Sequence, residues 1–301
     1  MALLCPDRAP KGVAALFSHT RARSTEVASR LTPEDMVVQS MTDASPAKWH
    51  LGHTTWFFET FVLKPFEPFF RLHDERLPHI FNSYYAQAGT RHARNARGML
   101  TRPSAEEVLE YRAAVEARVS QLLDVARADD RAEIERRVEL ACHHEMQHQE
   151  LLLTDILHAF SLNPLEPAYL PPAPIVVGPS GGGEDWHAFD GGVVEIGTDE
   201  GFHFDNEGPR HTALVHPFRM AGRLVTAGEW VEFIEDGGYR TETLWLSDGW
   251  ATVQCEGWEA PMYWRHEDGA WWTFSLRGPQ LVDMNAPVHH VSYYEAEAFA
   301  R

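Results

Sequence analysis

The chain has 301 residues, 44% hydrophobic and 23% charged, with a formal net charge of −18. That length allows two domains, each burying its own core; the charge argues against a nucleic-acid or anionic-membrane surface, since phosphate binding relies on clustered Lys and Arg. No apolar run approaches the ~20 residues needed to span a bilayer, and Pro6, Asp7, Arg8, Pro10 and Lys11 interrupt the apolar start too early for a secretory core.

Four helical patterns fill the first half. The first spans about 13–31 and ends before Thr32-Pro33-Glu34-Asp35, a cap followed by a short helical turn. The second opens at Ser45-Pro46, with serine as N-cap and proline in the first helical position, and continues to about Leu63 before Lys64-Pro65. The third starts at Ser104, with Glu106 and Glu107 suited to a helix N-terminus, and runs to about Ala126. The fourth covers about 131–160 without Gly or Pro. Four amphipathic helices around one core predict a bundle, an architecture that builds metal sites from facing helices.

Residues 66–103, between the second and third helices, form a long connection of specific composition, including Phe81-Asn82-Ser83-Tyr84-Tyr85. Its tail carries Arg91, Arg94, Arg97 and Arg102. Beside two tyrosines in an acidic protein, such cations suggest a carboxylate-binding wall, because guanidinium forks hold carboxylates bidentately; a solvated basic loop pairing with surface acids fits the composition equally well.

The fourth helix holds the most informative motif, His144-Glu145-Met146-Gln147-His148. Residues four apart return to nearly the same helix face, so both imidazoles can reach one ion. With 17 histidines in the chain, a chance pair is common. Here, however, Ile134, Val138, Ala141, Leu151, Leu152, Ile156 and Leu157 set an apolar period, and the two histidines continue a stripe through Leu140, Leu151 and Asp155, which predicts that they point inward. Buried histidines need partners, and a metal supplies one. The same five residues match the His-Glu-x-x-His signature of zinc proteases. The extended form requires Gly at 151 and His at 154, where Leu151 and Thr154 stand, and the downstream sequence is the breaker-rich loop Asn163-Pro164-Leu165-Glu166-Pro167. A protease is therefore set aside. Three scattered cysteines, Cys5, Cys142 and Cys255, read as reduced thiols of a cytoplasmic protein, with Cys142 in the core.

Residues 164–190 change character: Pro167, Pro171, Pro172, Pro174 and Pro179, then Gly181-Gly182-Gly183, predict a linker. Strand and turn patterns follow at Val193-Val194-Glu195-Ile196, Ala213-Leu214-Val215 and Phe218-Arg219-Met220, with one helix over about 226–234. Seven of the ten tryptophans lie between Trp230 and Trp272, which predicts an irregular, aromatic-rich β domain. Ser292-Tyr293-Tyr294-Glu295 is a capping box opening a helix that the end of the sequence interrupts, so a fragment is expected.

Two histidines are too few for a catalytic site, which takes three protein ligands and leaves positions open. The second helix offers His50 and His53; His53 shares a stripe with Trp49, Trp56 and Thr60, and His50 one with Thr54, Phe57 and Phe61, so periodicity leaves the choice open.

The stretch from Asp43-Ala44-Ser45-Pro46 through Trp49-His50-Leu51-Gly52-His53-Thr54-Thr55-Trp56-Phe57 to Thr60, the Asn82-Ser83-Tyr84-Tyr85 element and His144-Glu145-Met146-Gln147-His148-Gln149-Glu150 together resemble the ergothioneine-biosynthesis sulfoxide synthases (EgtB type). Gly191-Gly192-Val193-Val194-Glu195-Ile196-Gly197 through Asp205-Asn206-Glu207-Gly208-Pro209-Arg210-His211 resembles the formylglycine-generating-enzyme module fused to them. The resemblance covers almost the whole chain. It implies an α+β multidomain protein: a DinB-like iron-binding helical bundle over 1–165, a Pro/Gly-rich linker over 166–190, and a formylglycine-generating-enzyme-like (C-type-lectin-like) domain over 191–301, incomplete at its C-terminus.

The same resemblance implies that His53, His144 and His148 hold a non-haem Fe(II), that O2 is a co-substrate, and that the thiol of cysteine or γ-glutamylcysteine is joined to the imidazole C2 of hercynine (trimethylhistidine) as a sulfoxide. It matches Tyr84 and Tyr85 to paired tyrosines at the iron site, one of which handles a proton or electron. Gln147 becomes the candidate partner of the acceptor imidazole, and Arg91, Arg94 and Arg97 the candidates for the cysteine carboxylate. Three imidazoles on one face of an octahedral ion leave three positions free for thiolate, acceptor nitrogen and O2. Family members continue beyond position 301, so a chain that binds iron but turns over poorly is expected. Replacing His53, His144 or His148 by Ala should release the iron, and replacing His50 or His143 should retain it. A zinc-dependent DinB-like thiol S-transferase or hydrolase, an ovothiol-type sulfoxide synthase, and a non-enzymatic ligand-binding protein are the alternatives.

Overall fold

Without Gly or Pro through the histidine motif, one helix runs unbroken from Ala128 to Ser161, 34 residues and about 50 Å long. This helix, α6, is the spine of the first of two units, Met1–Tyr169 and Leu170–Arg301. The structure is a computed structural model and describes residues 11–85, 87, 89–173 and 185–301; Cys5 and residues 174–184 of the expected linker lie outside them. The fold is α+β.

In the first unit, α1 (Val13–Ala28) packs on α6, and α2 (Ala47–Phe58) lies against both α5 (Ala105–Val125) and α6. Phe17, Trp56, Phe58, Val62, Tyr111, Val115, Val119, Ile134, Val138 and Ile156 fill the space between them. The start of α5 is as expected: the Ser104 hydroxyl accepts from the Glu107 amide while the Glu107 carboxylate accepts from the Ser104 amide.

Two expectations about α2 are overturned. Ser45 makes no cap; the helix begins behind Pro46, while the Ser45 amide donates to Asp155 (2.8 Å) and its hydroxyl accepts from Arg97 (2.9 Å). Nor does the helix stop before Lys64-Pro65. It widens into a π turn at Glu59–Leu63 and continues as α3 (Lys64–Phe66), and the Phe61 carbonyl, which Pro65 has no amide to reach, accepts from Arg137 (3.1 Å). Glu59, fully buried in that turn, accepts from Tyr111 (2.6 Å) and Arg118 (3.1 Å). Every residue of α2 is buried, and this is why periodicity could not separate His50 from His53: a helix covered on all sides has no stripe to read. The long connection folds into α4 (Leu77–Phe81) and a 3₁₀ turn at Arg94–Met99.

The second unit is built on antiparallel pairs. β1 (Trp186–Phe189) pairs with β4 (Phe218–Ala221), starting Trp186 opposite Ala221, and β2 (Gly192–Ile196) with β3 (His211–Val215), Gly192 opposite Val215. β5 (Trp264–Glu267), β6 (Ala270–Ser275) and β7 (Gly278–Leu281) form a three-stranded meander. β1 falls inside the 166–190 stretch read as linker, so that part is strand. Helices α7 (Ala227–Glu235) and α9 (Tyr293–Ala300) both open with capping boxes, Thr226 with Glu229 and Ser292 with Glu295. The tryptophan-rich stretch is not all β: α8 (Ser247–Glu256) runs through it, and its Val253 joins Tyr239, Trp245 and Ala298 in a small core. Among the described residues no helix is long and apolar enough to cross a membrane.

Candidate metal centre

The histidines of α6 lie just off its buried stripe, which runs through Ile134, Val138, Ala141, Glu145, Leu152 and Ile156; Leu140 and Leu151, expected on the inward face, are exposed. His144 and His148 are covered because α2 lies over them. His53 of α2 meets both, with ring centroids 5.1 Å from His144 and 4.7 Å from His148, and the two α6 rings stand 4.6 Å apart. One nitrogen from each ring lies within 4.8 Å of the other two. Among the described residues this is the one grouping of three or more His, Cys, Asp or Glu side chains able to share an ion.

Each ring is prepared differently. His53 Nδ1 donates to the Phe81 carbonyl (2.6 Å), which leaves Nε2 as a lone pair. Phe81 gets that close because Gly52 has no side chain: a Cβ there would stand 2.2 Å from the Phe81 ring. The His53 ring is stacked on Trp49, centroids 4.7 Å apart and planes 9° from parallel, with Trp56 beside it at 5.6 Å. His148 Nδ1 lies 2.9 Å from His50 Nδ1, and His50 Nε2 lies 2.9 Å from Asp155 Oδ2. His144 Nδ1 is buried with no hydrogen-bond partner.

Burial pushes the His53 imidazole well below its ordinary value, with His144 adding to the effect. It takes His144 down to about 4, and His148 further down, where His50 and His53 oppose its charging as well. All three rings are therefore neutral, the form that donates a lone pair to a metal. An unmet buried ring nitrogen beside two neutral imidazoles is costly in a bare protein and is what a divalent ion would satisfy. The residues fit a metal, and the donor set is all nitrogen.

Glu145 is not at this centre. One residue along from His144, about 100° round α6, its carboxylate accepts from Arg21 (2.9 Å), Ser24 (2.5 Å) and Arg112. It is 1% exposed. A zinc-protease base has to face the metal, so this placement removes the protease reading on geometry.

The other expected site residues separate. Tyr85 is half-buried against Trp56, Phe57 and Phe61 (centroids 5.7, 5.8 and 5.1 Å), and Phe57 lies 4.3 Å from His144, so Tyr85 stands one ring away from two of the histidines. Burial raises its phenol pKa. Tyr84 is exposed and accepts from Arg94 (2.9 Å), which also donates to the Asp43 carbonyl.

Arg97 is buried: its guanidinium donates to the Ser45 and Ser83 hydroxyls (2.9 and 3.0 Å) and lies 3.4 Å over the Trp49 ring. Burial, then Arg94, pull its pKa down to about 10, so it stays charged at neutral pH. Arg91 donates to the Ser83 carbonyl (3.0 Å), and Arg102 to that of Thr101 (3.0 Å). Gln147 is exposed on α6, while Gln149 is the glutamine that reaches into the bundle, to Thr20 and Ser24. Cys142 is buried, its thiol pushed up to about 12 by burial; Cys255 is exposed. Reading the residues missed the Phe81 carbonyl and the Trp49 and Arg97 stack, for which a sequence carries no signal. It did place Asp155 on the histidine stripe.

A helical bundle whose facing helices bring three neutral imidazoles together, followed along the chain by a strand-rich unit, is a two-domain metalloprotein arrangement. Residues 16–152 match the DinB superfamily and residues 183–301 the sulfatase-modifying factor enzyme 1-like domain. The hercynine oxygenase of Mycolicibacterium smegmatis is 31% identical over 263 residues, covering 85% of this chain and 57% of that protein. That of Mycobacterium tuberculosis is 41% identical over 103 residues, 34% of this chain and 24% of its own length. The chain belongs to this family and carries the DinB and sulfatase-modifying-factor-like domains in that order. It spans little more than half the length of the M. smegmatis relative.

Proposed function

We propose that the chain carries the iron centre of an O2-dependent sulfoxide synthase of ergothioneine biosynthesis, joining the thiol of cysteine or γ-glutamylcysteine to the imidazole C2 of hercynine. The observation that carries this reading is the convergence of His53, His144 and His148 as neutral rings with a buried nitrogen left over; the relatives, both hercynine oxygenases, point to hercynine as the acceptor. The reaction balances with one O2: a thiol S–H and an imidazole C–H are lost, a C–S bond and an S=O bond form, and one water is released. Held by His53, His144 and His148, Fe(II) would supply the redox chemistry for O2 and the thiol.

The chain's own residues hold and orient. Phe81 fixes the His53 tautomer, and Trp49, backed by Arg97, fixes the plane of its ring. Arg97 serves the wall by anchoring Ser45 and Ser83 and keeps a positive charge beside the centre, while the partly exposed Arg94 is the guanidinium suited to the amino-acid carboxylate, with Arg91 beside it. Tyr85, kept neutral by burial, can give a proton at its phenol oxygen; Tyr84 is held by Arg94. Gln147, exposed next to His148, is available to the acceptor imidazole.

The test is metal analysis after anaerobic purification, then O2 uptake with cysteine and hercynine and mass spectrometry of the product. Stoichiometric iron with a product carrying both partners and one added oxygen is expected. Zinc at full occupancy with no O2 uptake points instead to the DinB-like thiol transferase or hydrolase, because an all-nitrogen set also suits zinc. A product thiolated at a different ring carbon points to an ovothiol-type synthase.

A further inference from the structure

We infer that His50 and Asp155 are positioning residues that fix the tautomer and ring angle of His148, and through it the geometry of the centre. This rests on reading the three histidines as metal-holding. The proton count follows from the donors. Asp155 Oδ2 accepts from the Ser45 amide at 2.8 Å, and a carboxylate oxygen has only lone pairs to offer the ring nitrogen 2.9 Å away, so the proton of that contact is on His50 Nε2.

When the His50 ring carries that one proton, its Nδ1 is bare. The 2.9 Å contact between the two Nδ1 atoms needs one proton, and it must come from His148. His148 Nε2 is left as the lone pair. A relay of Asp155, His50 and His148 thus delivers to His148 what the Phe81 carbonyl delivers to His53.

The relay also ties the two ligand-bearing helices together. Asp155 lies seven residues beyond His148, two turns along the same face of α6, whereas His50 comes from α2, three residues before His53. His50 is 4% exposed and the Asp155 side chain 14%, so water competes little for either bond. A carboxylate behind a ligand histidine is the usual arrangement around bound metals; here a second imidazole is interposed. The expectation that His50 is dispensable for metal binding is accordingly revised to a graded loss.

The test is anaerobic competition for Fe(II) between the chain and a chromogenic chelator, read beside thermal melting of the metal-free protein. His50→Ala and Asp155→Ala are expected to weaken Fe(II) binding roughly 10- to 100-fold, and the double variant to lose no more than His50→Ala alone. His50→Gln, which keeps an acceptor and a donor, should recover most of the affinity. Asp155→Asn, nearly the same shape, should fold and bind more weakly than the unsubstituted chain. Unchanged affinity in Asp155→Asn and the alanine variants, with only the metal-free melting lowered, overturns the inference and leaves the iron centre standing, as does a double variant that loses the sum of both singles. An unsubstituted chain that holds no Fe(II) overturns the centre itself and the relay with it.

Discussion

Two buried polar clusters meet on α6 one residue apart, and they follow opposite rules. Around Glu145 the carboxylate is saturated: Arg21, Ser24 and Arg112 all donate to it, and Arg21 also reaches Thr55. Around His144 a ring nitrogen is buried with no donor or acceptor at all. Both groups cost free energy to bury. In the first cluster the carboxylate is met on all sides and cross-links α1, α5 and α6, although Arg21 Nε and Arg112 Nε are left without a partner, whereas in the second three ring nitrogens lie within 4.8 Å of one another. What marks the second cluster as a binding site is that neutral ring nitrogens converge in it, whereas guanidinium nitrogens have no lone pair to offer a metal. The comparison matters because the motif spelling alone, His-Glu-x-x-His, assigns Glu145 to the chemistry, whereas its carboxylate is held by Arg21, Ser24 and Arg112.

The widest separation of the two clusters comes from removing a ligand. His53→Ala should abolish stoichiometric Fe(II) binding, a loss beyond the ~100-fold typical of residues behind the ligands, while the metal-free protein still unfolds cooperatively in urea; a variant that keeps its iron would transfer the third ligand elsewhere.

The converse substitution acts on the other cluster. Arg21→Met leaves the Glu145 charge buried beside one arginine instead of two and should cost about 3–5 kcal/mol of stability in urea titrations, with Fe(II) affinity of the folded protein unchanged. Lost iron at retained stability would mean that the clusters are not independent.

Acid provides a smaller and reversible version. Burial alone would raise the Glu145 pKa, but Arg21, Arg112 and Ser24 outweigh it and hold the carboxyl at about 2, against an ordinary 4.5. The unfolded chain therefore binds the proton more readily, so this contribution is complete above about pH 4.5 and fades as the pH falls toward 2. It amounts to about 3 kcal/mol by the 1.36 kcal/mol of each pKa unit. Urea midpoints followed through that window should fall less steeply in Arg21→Met. The smallest effect expected is at the start of α5, where Ser104→Ala removes a hydroxyl cap worth about 1 kcal/mol and should shift the urea midpoint without touching iron binding.

What could be read from the sequence divides along the kind of signal each element leaves. α6 was legible because Gly and Pro are absent and its apolar spacing is regular, α5 because Ser104 stands before Glu106 and Glu107, and α9 because a capping box announces it. α8 was missed: Trp245, Trp250 and Trp258 look like strand residues, yet they pack on a helix that closes the small core with Tyr239. At α2 the helix was legible but its orientation was not, since burial on every side erases the period. The arginines were visible as a cluster, but only packing shows that Arg97 lies over Trp49 and that Arg94 is the more open one.

Local sequence determined most of the helical segments and that two α6 histidines share a face with Asp155, because propensity, capping and periodicity act over a few residues. The tertiary structure decided that His53 and not His50 joins the pair, that Glu145 turns away from it, and that His50 stands behind His148. Those outcomes depend on which faces of α2 and α6 meet, and contacts between residues about a hundred positions apart leave no periodic trace in the chain.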